Sequence, residues 1–330
     1  MHLEQHFRIA GTGHYRPQTV LSCEAVDQRL GKPLGWAASN SGVTDRRECL
    51  PHESLAGMAQ AAIDAAMRDA GVGWDSIDLL IDCSNSRQQP VPCNAALVQA
   101  AIGKAAAGVP CFDVQSTCLG FLVALQVANG LLASRGFKTI LIVCSEAPLS
   151  GVDWSEPESA SLMSDAAAAV VVVAQQPTPT LLYAHETHAQ HAAVCEVRGG
   201  GHNLLPFDYR SEIDGAYRFH MDGPRLFRIA RKLLPPMVEA LIQESGVERS
   251  DLFVIPHQAS PRAVEVVRRV LRFNEEQYVN RVPEFGNTVA ASVPLTLDVC
   301  RHEGRIADGD SVLLLGTSAG YSQAAMVFQA

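Results

Sequence analysis

The sequence has few charged and few aromatic side chains for its length. Charged residues make up 18% and aromatic residues 6% of the 330 residues, whereas 47% are hydrophobic. This balance excludes an intrinsically disordered chain and predicts a compact globular protein whose core is mainly alanine, valine and leucine. A chain of this length can bury one large core or the cores of two fused half-domains.

Basic side chains are also scarce. The chain has 26 of them against 35 acidic ones, which gives a net charge of −9. General binding to nucleic acids or to anionic membranes is therefore not expected. Any cluster of arginines stands out against this acidic background.

The nine cysteines lack the spacings of a metal site or a disulfide framework. None belongs to a Cys-x-x-Cys pair, and their number is odd. Free thiols in a reducing compartment are the expected state. The first residues lack the features of a signal peptide, and no apolar run is long enough to span a bilayer. We therefore expect a soluble, cytoplasmic protein.

One stretch, residues 112–121, contains a candidate nucleophile. The sequence predicts an apolar strand over 109–114 and an apolar helix over 119–133, with Cys118 at the junction. The positive end of a helix dipole favours the thiolate, which is the nucleophilic form of cysteine. The alternative is a buried, inert cysteine, the commoner fate of a single thiol.

Strands and helices alternate along the chain, which predicts an α/β protein with parallel strands covered by helices. The strands expected at 77–83 and 139–144 recur at 252–256 and 312–315 with one common offset, as in an internal duplication. The predicted halves are 1–176 and 177–330, with a linker at 175–179. The loop 316–320 follows the strand at 312–315.

Two polar residues fall at corresponding corners of the second half. His257 follows a buried strand, and Asn287 precedes a predicted helix. Each has a structural explanation when taken alone, such as a helix cap for the asparagine. Reactive groups of α/β proteins gather at the carboxyl ends of strands. Cys118, His257 and Asn287 therefore form a candidate catalytic set.

The motifs resemble those of the β-ketoacyl-acyl-carrier-protein synthase III group in the thiolase-like superfamily. The resemblance covers essentially the whole chain, and its markers are Asp113-Val-Gln-Ser-Thr-Cys118-Leu-Gly-Phe, Pro256-His257-Gln258-Ala259, Gly286-Asn287-Thr288, Met221-Asp-Gly223 and Leu162-Met-Ser-Asp165. It implies a thiolase-like fold of duplicated αβαβα layers with two mixed five-stranded sheets. It also implies a homodimer without a cofactor or metal.

The resemblance implies that Cys118 accepts an acyl group from a thioester. His257 and Asn287 would then donate hydrogen bonds to a malonyl thioester during decarboxylative Claisen condensation. Oxyanion donors are expected at the Cys118 N–H and at one N–H of the loop 316–320, in which Gly316, Thr317 and Ser318 are the named candidates. The substrates would be carried on phosphopantetheine attached to an acyl carrier protein. For the acyl donor, coenzyme A is a second possible carrier.

The chain departs from the family pattern where a coenzyme A donor would bind. Trp36 matches the adenine-stacking tryptophan, but Asn40 stands where an arginine is expected, and residues 149–158 contain no basic side chain. The phosphates of coenzyme A would lack their cationic partners, which favours a carrier-bound donor.

Three further residues belong to the expected substrate pocket. Met221 and Gly223 are expected to line it. Val91 replaces an aromatic gate that reaches across the family's dimer, and this smaller side chain predicts a wider acyl pocket. The loop Gly316-Thr-Ser-Ala-Gly is also less glycine-rich than is usual in the family, and both departures favour a specialised fatty acid or polyketide pathway.

Arginines cluster on two predicted helices, 224–244 and 261–271. Arg225 and Arg228 lie on the first, and Arg262 and Arg269 lie on the second. An ordinary solvated face explains most single runs of this kind. Because two such helices occur in an acidic chain, we expect them to dock an acidic carrier protein.

Other functions stay open at this point. The main alternative is a related acyltransferase that moves the acyl group to an oxygen, nitrogen or small-molecule acceptor without decarboxylation. Another is a non-catalytic subunit that stabilises a homologous partner. A thiolase would need a second cysteine near the C-terminus, which residues 316–320 lack. A sequence cluster of histidines and one cysteine is not expected to bind metal: His185, His188, His191, Cys195 and His202.

Overall fold

A computed structural model describes residues 2–330, with side chains for 3–178 and 181–330. The strands are β1 His2–Tyr15, β2 Thr19–Leu21, β3 Arg46–Glu48, β4 Leu79–Asp82, β5 Cys111–Asp113, β6 Thr139–Glu146, β7 Ala166–Thr187, β8 Cys195–Glu196, β9 His220–Met221, β10 Leu252–Pro256, β11 Ser311–Ser318 and β12 Ser322–Gln329. The helices are α1 Cys23–Arg29, α2 Trp36–Ser41, α3 Leu55–Ala70, α4 Asn94–Ile102, α5 Gly120–Ala133, α6 Pro157–Ala160, α7 Gly223–Ser245, α8 Pro261–Val270, α9 Val282–Phe285 and α10 Ser292–His302.

Eight strands form one large mixed sheet. Its order is β10-β11-β12-β7-β6-β4-β5, and β1 also pairs with β7. The pairs β4–β5, β4–β6 and β10–β11 are parallel, whereas β7 runs antiparallel to β6, β12 and β1. The predicted α/β class is therefore confirmed.

The long strand β7 joins the two halves. Strand β6 pairs with its residues 166–173, and β12 pairs with its residues 182–187. The linker predicted at 175–179 is wrong, because β1 continues alongside β7 with Gln5 opposite Thr178. Register shifts in β1 on both sides of Gln5 accommodate the irregular, proline-containing stretch. The strands of the two predicted sheets thus share one continuous ladder.

The second half has a reduced outer strand. Where β5 lies beside β4 in the first half, the second half has a single parallel bridge between Val254 of β10 and Tyr278. Tyr278 is buried, so the bridge closes the edge of the sheet without forming a full strand.

Helices cover the sheet in layers. Alternate residues of β7 face different cores: Ala168 and Val170 pack in the core that contains α5 and α10, whereas Ala169 and Val171 pack against α3. A separate core in the second half contains α7 and α8. The central pair α5 and α10 begins close to the candidate catalytic residues. Among residues 2–330, no helix is both long and apolar enough to cross a bilayer.

Candidate active site

Cys118 lies in a 3₁₀ turn, Thr117–Leu119, directly before α5. Thr117 has a φ of +47°, so the chain turns sharply at the residue before the cysteine. Gly120 begins α5, and a Cβ there would lie 2.2 Å from the carbonyl oxygen of Cys83. The close approach of β4 and α5 therefore requires glycine and fixes the thiol at the predicted strand–turn–helix junction.

Burial dominates the ionisation of the Cys118 thiol. Although the residue keeps some exposure to solvent, desolvation raises its pKa far above the ordinary value, and the charges of Cys195 and Glu146 act in the same direction. The backbone N–H groups of Cys118 and Ala319 lower the pKa by a smaller amount. The position at a helix start was expected to lower the pKa of Cys118, but burial outweighs this effect and raises the pKa. The resting side chain is therefore a thiol.

The candidate oxyanion donor in the C-terminal hairpin is Ala319. Gly316, Thr317 and Ser318 lie within β11 rather than in a loop, because they pair with residues 322–324 of β12. The N–H of Ala319, in the turn between these strands, is the one that interacts with the Cys118 sulfur. Ala319 lies within the range 316–320 predicted to supply this donor, but it is not among the three residues named there. Its only signal was Gly320 directly after it, which adopts a φ of +82° in this turn.

Gly316 lets β11 pass between two parts of the site. A Cβ at this position would lie 2.8 Å from the Cβ of His257 and 3.3 Å from Cδ2 of Leu119. Leu119 is the neighbour of Cys118 in the 3₁₀ turn. The strand thus links the histidine and the cysteine turn through close packing.

His257 follows β10 and is 6% exposed. Its backbone N–H donates to the carbonyl oxygen of Leu315 at 2.7 Å. Its ring Nδ1 lies 2.7 Å from the hydroxyl oxygen of Ser292, and Nε2 has no hydrogen-bond partner among residues 2–330. Burial lowers the pKa of His257 to about 4, so the imidazole is neutral at pH 7.

Asn287 is held by its backbone against the segment that contains Leu162 and Ser164. Its N–H donates to the Leu162 carbonyl at 2.8 Å, and its carbonyl accepts from the Ser164 N–H at 3.1 Å. Gly286 has a φ of +67°, and a Cβ there would lie 2.7 Å from the Cβ of Ser164. The close approach of Gly286 to Ser164 places the Gly286-Asn287 motif directly against the Leu162-Met-Ser-Asp165 motif.

The side-chain oxygen of Asn287 is hydrogen-bonded within the protein. Its Oδ1 accepts from the N–H of Val289 at 3.0 Å. Within residues 2–330, its amide NH₂ group makes no hydrogen bond and can donate to a substrate. A 3₁₀ turn, Val289–Ala291, separates Asn287 from α10, which begins five residues later than the helix start predicted at 287.

The segments around the three candidate catalytic residues pack together. The turn that contains Cys118 packs against β11 and against the turn Val289–Ala291. A Cβ at Gly120 would be 3.5 Å from the Cβ of Ala290. Gly316 of β11 packs against His257, and Asn287 lies two residues before Val289, so the three segments meet near the starts of α5 and α10.

Trp36 begins α2 and is half-buried. The Nζ of Lys32 lies 5.5 Å from its ring centroid. Trp36 packs on the same small core as Trp154 and Phe219, so the segment 149–158 lies nearby. Asn40 donates its side-chain amide to the Trp36 carbonyl at 2.9 Å.

The acidic segment near Trp36 is tied to the residues before α7. Glu156 accepts a 2.5 Å hydrogen bond from Nδ1 of His220, and the Phe219 N–H donates to the Gly151 carbonyl. Met221, in β9, and Gly223, at the start of α7, follow directly. Val91 lies apart from them in the loop before α4, is 79% exposed and precedes a cis peptide bond.

Helices α7 and α8 pack side by side and expose arginines. Arg225, Arg228 and Arg262 are exposed and make no ion pair within residues 2–330. Arg269 differs, because it pairs with Glu265 at 2.5 Å. Three further cations on or next to these helices are also exposed and unpaired in the described part of the chain: Arg231, Lys232 and Arg272.

In the described part of the chain, the histidines of the stretch 185–202 do not gather into a cluster of metal-ligating type. No group of three or more His, Cys, Asp or Glu side chains that could hold a metal ion occurs among the residues described. Instead, His188 and His191 pack against the ring of Tyr321, which follows the hairpin turn at Ala319.

Comparisons with known proteins show the family to which the chain belongs. A family model described as 3-oxoacyl-[acyl-carrier-protein] synthase III matches residues 112–189, and its C-terminal counterpart matches residues 242–330. The β-ketoacyl-[acyl-carrier-protein] synthase III of Laribacter hongkongensis is 32% identical over 321 residues, which is 96% of each chain. The chain belongs to the β-ketoacyl-acyl-carrier-protein synthase III family.

Two solved structures extend the likeness to the fold. The 3-oxoacyl-[acyl-carrier-protein] synthase III of Aquifex aeolicus superposes with a TM-score of 0.87 at 26% identity, covering 98% of this chain and 100% of that one. The priming β-ketosynthase of the R1128 polyketide pathway gives 0.89 at 26% identity, with 100% and 97% covered. The predicted family and thiolase-like fold are confirmed, and the protein is a ketosynthase of the Claisen-condensing type, a transferase.

Proposed function

We propose that this synthase III forms an acyl-enzyme at Cys118 and condenses the acyl group with a malonyl unit on a carrier protein, with loss of CO₂. One observation carries the proposal: the Cys118 turn packs against β11, which contacts His257, and against the turn that follows Asn287, and both side chains have an unengaged polar atom among residues 2–330, Nε2 of His257 and the amide nitrogen of Asn287. Neutral donors suit a reaction in which negative charge develops on a thioester oxygen.

The first step is acyl transfer to Cys118. Its sulfur attacks the thioester carbonyl, and the resulting oxyanion is stabilised by the N–H groups of Cys118 and Ala319. The carbon–sulfur bond to phosphopantetheine then breaks, and the proton released by the Cys118 thiol ends on the departing thiol. Because burial raises the pKa of Cys118, attack and proton transfer have to be closely coupled.

The second step is decarboxylation and condensation. The malonyl carboxylate leaves as CO₂, and its bonding electrons form an enolate whose oxygen accepts hydrogen bonds from His257 and Asn287. The enolate carbon attacks the acyl carbonyl, the bond to the Cys118 sulfur breaks, and the sulfur leaves as a thiolate. This thiolate takes up a proton from water, which restores the Cys118 thiol. Removal of one donor to such an oxyanion typically costs about 10²–10³ in rate.

We propose an acyl carrier protein as the donor, as well as the carrier of the malonyl unit. The arginines near Trp36 are already paired, Arg29 with Glu48 and Arg218 with Asp214. Lys32, whose ammonium group lies over the Trp36 ring, remains to bind the phosphates of coenzyme A. The same region also contains the carboxylate of Glu156. One lysine is a weak substitute for bidentate arginine contacts.

The basic surface of α7 and α8, formed by Arg225, Arg228, Arg231, Lys232, Arg262 and Arg272, supports docking of an acidic carrier protein. Its unpaired cations can form new ion pairs without breaking existing ones. Arg269, which we also expected in this role, is a poorer candidate because it is bound to Glu265.

Two finer features of the proposal depend on Val91. The side chain is 79% exposed in the loop before α4, so it is accessible to a second chain. We propose that it is covered by a second copy of the chain in a homodimer and borders the partner's acyl pocket. Its small size then favours an acyl group that is larger than an acetyl unit, as in a specialised fatty acid or polyketide pathway.

The experiment separates acylation from condensation. Intact-mass spectrometry with a panel of acyl-coenzyme A and acyl-carrier donors is expected to show one acyl group, faster from the carrier, and none in Cys118→Ala. The acylated enzyme is then mixed with malonyl-carrier protein. Stoichiometric CO₂ supports condensation, whereas acyl transfer to another acceptor without CO₂ supports the acyltransferase alternative. Failure to acylate Cys118 from any donor supports the non-catalytic subunit.

A further inference from the structure

We infer that the Ser292 hydroxyl fixes the neutral His257 ring in the tautomer with its proton on Nε2, so that the ring donates to the substrate. This rests on the proposed function, which needs a donor at that atom. Ser292 would be a positioning residue, since it acts on the imidazole and does not touch the reacting atoms.

The two side chains form a buried pair. Ser292 is the first residue of α10 and is 2% exposed, and its Oγ lies 2.7 Å from Nδ1 of His257. The backbone N–H of Gln258 also donates to this Oγ, at 3.4 Å. The hydroxyl oxygen therefore already accepts one hydrogen bond, and its own proton needs an acceptor.

Only one acceptor is in place for that proton. Among residues 2–330, Nδ1 of His257 is the only group at hydrogen-bond distance that can accept from the Ser292 hydroxyl. If the ring instead donated from Nδ1, the Ser292 proton would be buried without a partner, which is costly. Donation by the hydroxyl leaves Nδ1 as the acceptor and places the single ring proton on Nε2.

The backbone around the pair is held in place. The side chain of Gln258 donates to the carbonyls of Pro256 and Val279, at 2.7 and 3.3 Å, and accepts from the Arg281 N–H at 2.7 Å. One turn along α10, the hydroxyl of Thr296 donates to the Ser292 carbonyl at 2.7 Å. Neither partner can therefore move far to seek another hydrogen bond.

The direct test is the protonation of the ring, read by ¹H–¹⁵N NMR on the full chain labelled with ¹⁵N-histidine. Comparison with His257→Gln identifies the His257 signals. The wild-type protein is expected to show a neutral ring protonated on Nε2, and Ser292→Ala a mixture of the two tautomers. The matched control is Ser159→Ala, which removes a serine hydroxyl that is also 2% exposed but donates to the Glu156 carbonyl, and it is expected to leave the tautomer unchanged.

The kinetic readout separates this role from a structural one. In Ser292→Ala, CO₂ release by the acylated enzyme is expected to fall about tenfold, the effect of losing one hydrogen bond that biases the ring. Loading of Cys118, followed by intact mass, is expected to stay unchanged. Ser292→Cys keeps a weak donor and is expected to lie between the two, and it also replaces the alanine variant if that one does not fold.

The outcomes distinguish the inference from the proposed function. A wild-type ring protonated on Nδ1, or a Ser292→Ala protein with unchanged tautomer and rate, overturns the role of Ser292 even in an active enzyme. If the wild-type protein releases no CO₂, the proposed function fails while the NMR result still tests the Ser292–His257 pair.

Discussion

Gly316→Ala tests whether the packing between β11, His257 and the Cys118 turn sets the geometry of the site. The new Cβ would lie 2.8 Å from the His257 Cβ and 3.3 Å from Leu119 Cδ2. Carbon atoms pack best at about 3.5–4.0 Å, so the histidine would have to shift by roughly 0.7 Å or more. Its hydrogen bonds to Leu315 and Ser292 resist that shift.

The variant should therefore lose both stability and rate. Overpacking of this kind typically destabilises by about 1–3 kcal/mol. A displacement of about 1 Å in a reacting group can cost about 10²-fold in rate. Acylated Gly316→Ala, mixed rapidly with malonyl-carrier protein, is expected to release CO₂ about a hundredfold more slowly at a temperature where circular dichroism shows it folded.

The control is Gly130→Ala, in the interior of α5. A Cβ at this position meets no atom within 4 Å. Alanine in a helix interior is better than glycine by about 0.5–1 kcal/mol, so the control should be at least as stable as the wild type and equally active. A folded Gly316→Ala protein with the wild-type rate of CO₂ release would refute the packing argument.

Three other predictions concern ionisation and docking. Burial lowers the pKa of His257 to about 4, so CO₂ release by acylated enzyme should show no step near pH 6.5, the ordinary histidine value; a step there would mean that the ring titrates. Burial raises the pKa of Asp82 to about 7, so its stabilising contribution is complete below about pH 4 and lost as the pH rises through about 7. The fall in melting temperature between about pH 5.5 and pH 8 should therefore be smaller in Asp82→Asn, and an equal fall would contradict this assignment. Replacing both Arg225 and Arg228 by glutamate should raise KM for malonyl-carrier protein about tenfold or more, with little change in kcat. The control Lys104→Glu should leave KM unchanged. Equal increases in KM would indicate a general charge effect instead of docking on α7.

Much of the fold follows from local sequence patterns. The apolar run at 252–256 predicts β10 with the observed bounds, Leu252–Pro256, and the run at 139–144 predicts β6, which ends two residues later at Glu146. The helix predicted over 261–271 is α8, Pro261–Val270. These features depend on neighbouring residues in the chain, so the sequence contains the information that determines them.

The remaining features depend on contacts between distant segments. Strand β7 continues through 175–179 because β1 runs beside it, and β11 extends to Ser318 because β12 pairs with it. This second pairing moves the candidate donor to Ala319. The ionisation of Cys118 follows the same principle, since desolvation by surrounding elements outweighs the helix-start effect that the local sequence suggested.

We propose that Cys118 is first acylated and that the same site then drives decarboxylative condensation. The most direct measurement is a single-turnover reaction of acylated enzyme with ¹⁴C-carboxyl-labelled malonyl-carrier protein, following ¹⁴CO₂ and the β-ketoacyl product together. We predict one CO₂ and one β-ketoacyl product for each acyl group lost from Cys118, and neither above background in His257→Ala/Asn287→Ala enzyme that has been acylated to the same extent. Loss of the acyl group without CO₂, or undiminished CO₂ release by the double variant, would contradict the account.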